Sequence, residues 1–192
     1  MIVRALRARA TPRNLAILFA VVAPLALSFT LYFAPAYQAV SGGTKPFDMQ
    51  SPLGADTLGI QLALLTPESL TAYTRFLAAD YVFPPLAALF VALLWAALLN
   101  TLRAPGLDRM YAAGFWLVPF LAAGCDLYEN ALFYRIIAAA PQPLLDTIDT
   151  AVAVHRFKLA FLNALVVITA GLLAVAGFAW LRRKLVRADR RT

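Results

Sequence analysis

Apolar residues occupy this chain in four long blocks. They cover 14–37 ("NLAILFAVVAPLALSFTLYFAPAY"), 71–100, 110–138 and 151–181. A bilayer core about 30 Å thick is crossed by about 20 helical residues, so each block predicts one transmembrane helix. The composition agrees: 62% of the 192 residues are hydrophobic and 14% charged, against about 45–50% and about 25% in soluble domains. The expected fold is an all-α, integral-membrane four-helix bundle, with residues 1–192 forming a single membrane domain.

Charge gives the bundle a direction. The net charge is +7, and 12 of the 17 basic residues lie at three places. Arg4, Arg7, Arg9 and Arg13 precede the first block. Arg103 and Arg109 separate the second from the third, and Arg182, Arg183, Lys184, Arg187, Arg190 and Arg191 follow the fourth. Basic loops face the cytoplasm, so both termini are expected there. This clustering beside apolar spans argues against a nucleic-acid partner. The motif "APA" at 34–36 could end a signal peptide. The apolar run before it is about 20 residues, longer than the usual 7–15 or so, which favours an uncleaved anchor.

The outer loop, 38–70, opens with the turn-rich "SGGTKPFDMQSPLGADT". "LGIQLALL" alternates enough to be a short extended piece, or a segment lying on the membrane. Thr66-Pro67-Glu68 reads as a helix start, with Thr66 as N-cap and Pro67 at the first helical position. The second helix should run from there to a kink at Pro84-Pro85. Small residues at helical spacing (Ala88, Ala92, Ala96; Ala170, Ala174, Gly177) predict close helix approach.

Polar residues interrupt the apolar blocks, above all in "GCDLYENALFYR" at 124–135. At 1.5 Å per residue, Asp80, Glu129, Asn130 and Lys158 fall about 11–14 Å below the outer face. His155 and Arg156 lie about 6–8 Å down, Asp126 and Asn163 about 18 Å, with Arg75 and Arg135 shallower. A charge facing lipid at mid-membrane costs about 2.5–3.5 kcal/mol on insertion scales, so these groups should face one another or a water-filled cavity. Asp80, Asp126, Glu129 and His155 are the candidate catalytic acids and bases. Arg75, Asn130, Arg135, Arg156, Lys158 and Asn163 are the candidate ligand-binding residues. The competing reading is a set of ion pairs that only lock the helices.

Other chemistries lack their residues. The sequence has no HExxH and no Cys/His cluster, so no metal site is expected. One histidine does not make a paired haem site, no Gly-rich phosphate loop is present, and no cofactor is expected. Cys125, the single cysteine, reads as a packing residue.

"YTRFLAADYVFPPL" followed by "CDLYENALF" resembles the signature of small, uncharacterised four-span bacterial membrane proteins, which implies a bacterial cytoplasmic (inner) membrane. The four spans, the long first outer loop and the acid four residues before a proline in "DYVFPPL" also resemble the EXPERA family of sterol isomerases and the sigma-2 receptor. That resemblance implies that Asp80 is a pocket acid beside an apolar ligand. That family's acid near the outer end of its first span has no counterpart in "TLYFAPAYQ". The expected role is binding, with acid–base modification within reach, of a lipid-like or amphiphilic small molecule in an outward-facing polar pocket. The alternatives are an accessory subunit of a membrane complex, and a small proton-coupled carrier. Expected partners are a membrane lipid or hydrophobic small molecule, a second copy, or a membrane protein.

Overall fold

A computed structural model describes residues 1–102, 104–140, 142 and 144–189, with side chains up to 185. Arg103, Arg190, Arg191 and the side chain of Arg187, all used above to orient the chain, lie outside the described set. Every described element is helical. A short helix α1 (Ile2–Arg9) precedes α2 (Pro12–Ser28), and a π-helical turn Phe29–Phe33 joins α2 to α3 (Ala34–Val40). Then come α4 (Ala55–Ala63), α5 (Pro67–Asp80), α6 (Phe83–Leu102), α7 (Pro105–Ala112), α8 (Val118–Ala139) and α9 (Leu145–Asp189).

Three runs are long and apolar enough to cross a membrane: Pro12–Val40, Pro67–Leu102 and Leu145–Leu185. Helices α7 and α8, bent by 60°, supply a fourth if taken together. The third block is therefore not one straight span from 110 to 138. Gly114, at φ +120°, turns the chain there, and Pro119 opens α8. Helix α9 has 45 residues, about 68 Å, roughly twice a bilayer core, so it projects well beyond the expected 151–181.

Prolines set the irregularities. Pro35 has no N–H for the Leu31 carbonyl, and the π turn immediately before it widens the ladder, with Ala34 N–H reaching Phe29 O. Pro84 and Pro85 likewise strand the carbonyls four residues back, at Asp80 and Tyr81. The helix consequently breaks at Tyr81–Val82, a turn earlier than the prolines themselves. The start of α5 is as expected: Ser69 N–H donates to Thr66 Oγ1 at 3.2 Å, and Thr66 N–H donates to Ser69 Oγ at 2.8 Å.

Two cores hold the bundle. At one end, Phe29, Tyr37, Phe47, Tyr73, Phe76 and Phe133 pack together, with Phe47 and Tyr73 ring centroids 4.8 Å apart. At the other, Trp95, Ala96, Leu99 and Tyr111 pack with Ala122 and Leu165. There the Trp95 indole donates to Thr169 Oγ1 at 2.9 Å, and the Tyr111 hydroxyl donates to the Ala92 carbonyl at 3.0 Å. Ala88, Ala92 and Ala96 are buried, as close packing requires. Ala170, Ala174 and Gly177 are exposed, so this expected small-residue face of α9 is not packed against a helix.

The outer loop is a folded cap. "LGIQLALL" is the helix α4, not an extended piece: Leu58 and Leu62, four apart, both point inward. Gln50 and Gln61 exchange amide hydrogen bonds at 2.8 and 3.2 Å, tying α4 to the turn Phe47–Met49. Phe47 is fully buried in the aromatic core, and it carries the next residue, Asp48, toward the charged residues of the spans.

Candidate functional site

The polar residues of α5, α8 and α9 meet beneath that cap. Asp80 ends α5, where the prolines have broken the ladder. Asp126, Glu129 and Asn130 share a face of α8 at i, i+3 and i+4, and His155 and Lys158 share a face of α9 at i and i+3. Asp80, Glu129, Asn130, His155 and Lys158 are all buried, and Asp126 nearly so.

Their contacts form two sets side by side. Asn130 Nδ2 donates to Asp80 Oδ2 at 2.8 Å. Lys158 Nζ lies 3.2 Å from Asp126 Oδ1 and pairs also with Glu129 Oε2. His155 Nδ1 is 2.5 Å from Glu129 Oε1, and His155 Nε2 donates to the Gln50 carbonyl at 2.8 Å. A carbonyl can only accept, so Nε2 carries a hydrogen. The short contact at Nδ1 then needs a proton of its own, shared between imidazole and carboxyl. The pair is either imidazolium with carboxylate or imidazole with carboxylic acid.

Asp48 joins this cluster from the outer loop, and the sequence reading missed it. Burial pushes its carboxyl well above the ordinary range; nearby Lys158 opposes this, while Asp80, Glu129 and Asp126 push it further up. Its Oδ1 is buried without a hydrogen-bond partner, as are Asn130 Oδ1 and the Tyr73 hydroxyl. One signal was present in the sequence. Phe47, Met49 and Leu53 are apolar residues in an otherwise polar loop, and such residues seek cover.

Four candidates do not join. Arg75, Arg135, Arg156 and Asn163 lie on exposed faces, away from the cluster. Residue spacing along a helix fixes depth, but side-chain direction turns by about 100° per residue. Arg75 lies off the face of α5 that buries Tyr73, Phe76, Leu77 and Asp80, and Arg156 is one step from His155. Their long stems can carry the charge toward the membrane surface.

Two cavities meet at the cluster. A polar one of about 200 Å³ is lined by Asp48, Asp80, Asp126 and Lys158, with Phe29, Phe76 and Phe83 around them. Glu129 does not line it; its side chain is sealed behind Lys158. An apolar groove of about 580 Å³ runs between α6, α8 and α9, along Ala87, Val91, Ala122, Leu165 and Leu173. Asp126 and Phe83 belong to both. No group of three or more His, Cys, Asp or Glu side chains fit to hold a metal ion occurs among the described residues. Comparison with protein-family models, with curated proteins and with solved structures finds no match.

Proposed function

We propose that this protein binds a single amphiphilic molecule, with its head in the polar cavity and its chain in the groove between α6, α8 and α9. The observation that carries this reading is the position of Asp126, at once an ion-paired wall of the polar cavity and the end of the apolar groove. A pure helix staple needs the ion pairs but not the groove. The setting we infer is a four-span bundle in a bacterial inner membrane, with cytoplasmic termini and the capped cavity facing outward.

Charge narrows the head group. Four carboxyl groups (Asp48, Asp80, Asp126, Glu129) stand against Lys158 and His155, with burial favouring the protonated form of Asp48. Among the described residues Asp48 and Asp80 have no cation within ion-pair distance. A head that is positively charged, or that donates several hydrogen bonds, balances this excess and meets the orphaned oxygens of Asp48 and Asn130. The phenylalanine rings around the cavity suit a cation as well. If the bound molecule is also modified, Asp80 and Asp126 are the acid and base at the cavity. The His155–Glu129 pair, behind Lys158, would then be their proton reserve.

Lipid mass spectrometry of the gently purified protein tests the reading. An amphiphile should co-purify with the wild type. It should be lost from Ala170→Trp, which fills the groove from an exposed position and leaves every charge in place. If the wild type carries no amphiphile and takes none up, the charges are a staple and the reading fails.

A further inference from the structure

A second groove lies at the opposite end of the bundle, beside the basic N-terminus. Helix α1 is fixed there by its Arg7, which pairs with Asp108 of α7 at 2.5 Å and sits 5.6 Å over the Tyr111 ring. Asn100 of α6 reaches the Arg7 carbonyl at 3.5 Å. The chain then turns sharply: Thr11 N–H bonds back to Arg9 O at 2.8 Å, and Pro12 opens α2. Because α1 is held by α6 and α7 while the turn sends α2 away, the two helices do not close on each other. A cavity of about 400 Å³ remains between α1, α2 and α6.

The walls of this cavity are aliphatic: Leu6 from α1, Ile17 and Leu18 from α2, Leu89 and Leu93 from α6. Among the described residues, Arg9 is the one charged residue lining it, and no carboxylate lines it. Arg9 makes no ion pair among the described residues, unlike Arg7 two positions earlier. Asn14, in the first turn of α2, lines the cavity beside Arg9. An aliphatic slot with the unpaired guanidinium of Arg9 at its wall is complementary to one kind of membrane molecule: an acyl chain carrying an anionic phosphate head.

We propose that the groove between α1, α2 and α6 is a binding site for an anionic phospholipid, its chain along Leu18, Leu89 and Leu93 and its phosphate on Arg9. The site is independent of the amphiphile site beneath the outer cap, which is lined by carboxylates and has the opposite charge preference. It also gives α1 a role: a helix with no buried residue of its own becomes one wall of a lipid seat.

Native mass spectrometry from a nonionic detergent tests this with phosphatidylglycerol, phosphatidylethanolamine and phosphatidylcholine of matched chains. Phosphatidylglycerol should be retained most. Arg9→Gln should weaken its retention about fivefold, the effect expected of one basic residue near an anionic head. Leu18→Trp and Ala5→Trp keep every charge and fill the slot, and each should abolish the preference while leaving the melting temperature without added lipid unchanged. Arg182→Gln, on the basic end of α9, is the control for diffuse attraction and should change nothing. Equal retention of the three lipids would overturn the proposal. So would slot-filled proteins that keep their preference, or an Arg182→Gln loss equal to that of Arg9→Gln.

Discussion

The Nδ1 atom of His155 and the Oε1 atom of Glu129 lie 2.5 Å apart in hydrogen-bond contact, both side chains fully buried. The same carboxyl faces Lys158 through its other oxygen. Glu129 is therefore the structural centre of the cluster, while Asp48, Asp80 and Asp126 look into the cavity. These acids should answer differently to the same change.

Glu129→Gln should destabilise strongly. The new amide can still donate to His155 Nδ1, so that contact survives with a neutral ring. Lys158 loses one of two charged partners in a buried setting and keeps Asp126 at 3.2 Å, so the cost should stay below about 3–5 kcal/mol, that of a fully stranded charge. Thermal unfolding in detergent reads the effect. The double variant Glu129→Gln with Lys158→Met should recover only part of it, because the under-paired ammonium is gone but Asp126 loses its own partner. A double variant no better than the single one would place the cost elsewhere than Lys158.

Asp48→Asn should do the reverse. Its carboxyl is raised in the folded protein, so the folded state holds this proton more tightly than the unfolded chain. That contribution is fully present below the unfolded value, near 3.8, and is lost as pH rises through the folded value. Removing the carboxyl removes the loss. Melting temperatures of Asp48→Asn and wild type should therefore coincide near pH 4 and diverge toward pH 8, the variant becoming the more stable. Parallel curves would show that Asp48 is not a strained acid of this site.

Much of this arrangement could be read from the residues, and the failures share a cause. Apolar block length located the long helices, and Thr66-Pro67 located the start of α5 to the residue. Helical spacing put Asp126, Glu129 and Asn130 on one face, and depth put Lys158 beside them. Depth alone also admitted Arg75, Arg135, Arg156 and Asn163, because a rise along an axis carries no azimuth. Asp48 was missed for a different reason: its apolar neighbours Phe47, Met49 and Leu53 hint at cover but not at where that cover lies. Its position depends on Phe47 entering an aromatic core drawn from α3, α5 and α8, a long-range event that no local pattern in "KPFDMQ" encodes.

The cap on α5 offers a test of how the lid and the spans are coupled. Thr66→Ala removes the acceptor for Ser69 N–H and should cost about 1 kcal/mol, the usual worth of an N-cap. Because Thr66 closely follows α4, the same change should loosen the cap over the polar cavity. Faster amide exchange at residues 55–66, with unchanged exchange in α6, would be the expected signature.

The last prediction concerns direction, which the outward-facing cavity requires. Three basic segments meet at one end of the bundle. Arg7 of α1 pairs with Asp108 of α7, and Arg183 of α9 donates to the Thr101 carbonyl at the end of α6 at 2.9 Å. These contacts make the N-terminus, the segment around Gly106 and the basic end of α9 one electrostatic unit that cannot be divided between two sides. A basic unit of that kind is held in the cytoplasm. Reporter fusions at Gly106 and Thr192 should therefore report inside, and fusions at Gly43 and Gln142 outside. A Gly106 fusion reporting outside would invert the bundle and turn the carboxylate cavity toward the cytoplasm. A split result, with Gly106 and Thr192 on opposite sides, would break the Arg7–Asp108 and Arg183–Thr101 contacts together. The packing of α1 and α9 against α6 and α7 would then fall with them.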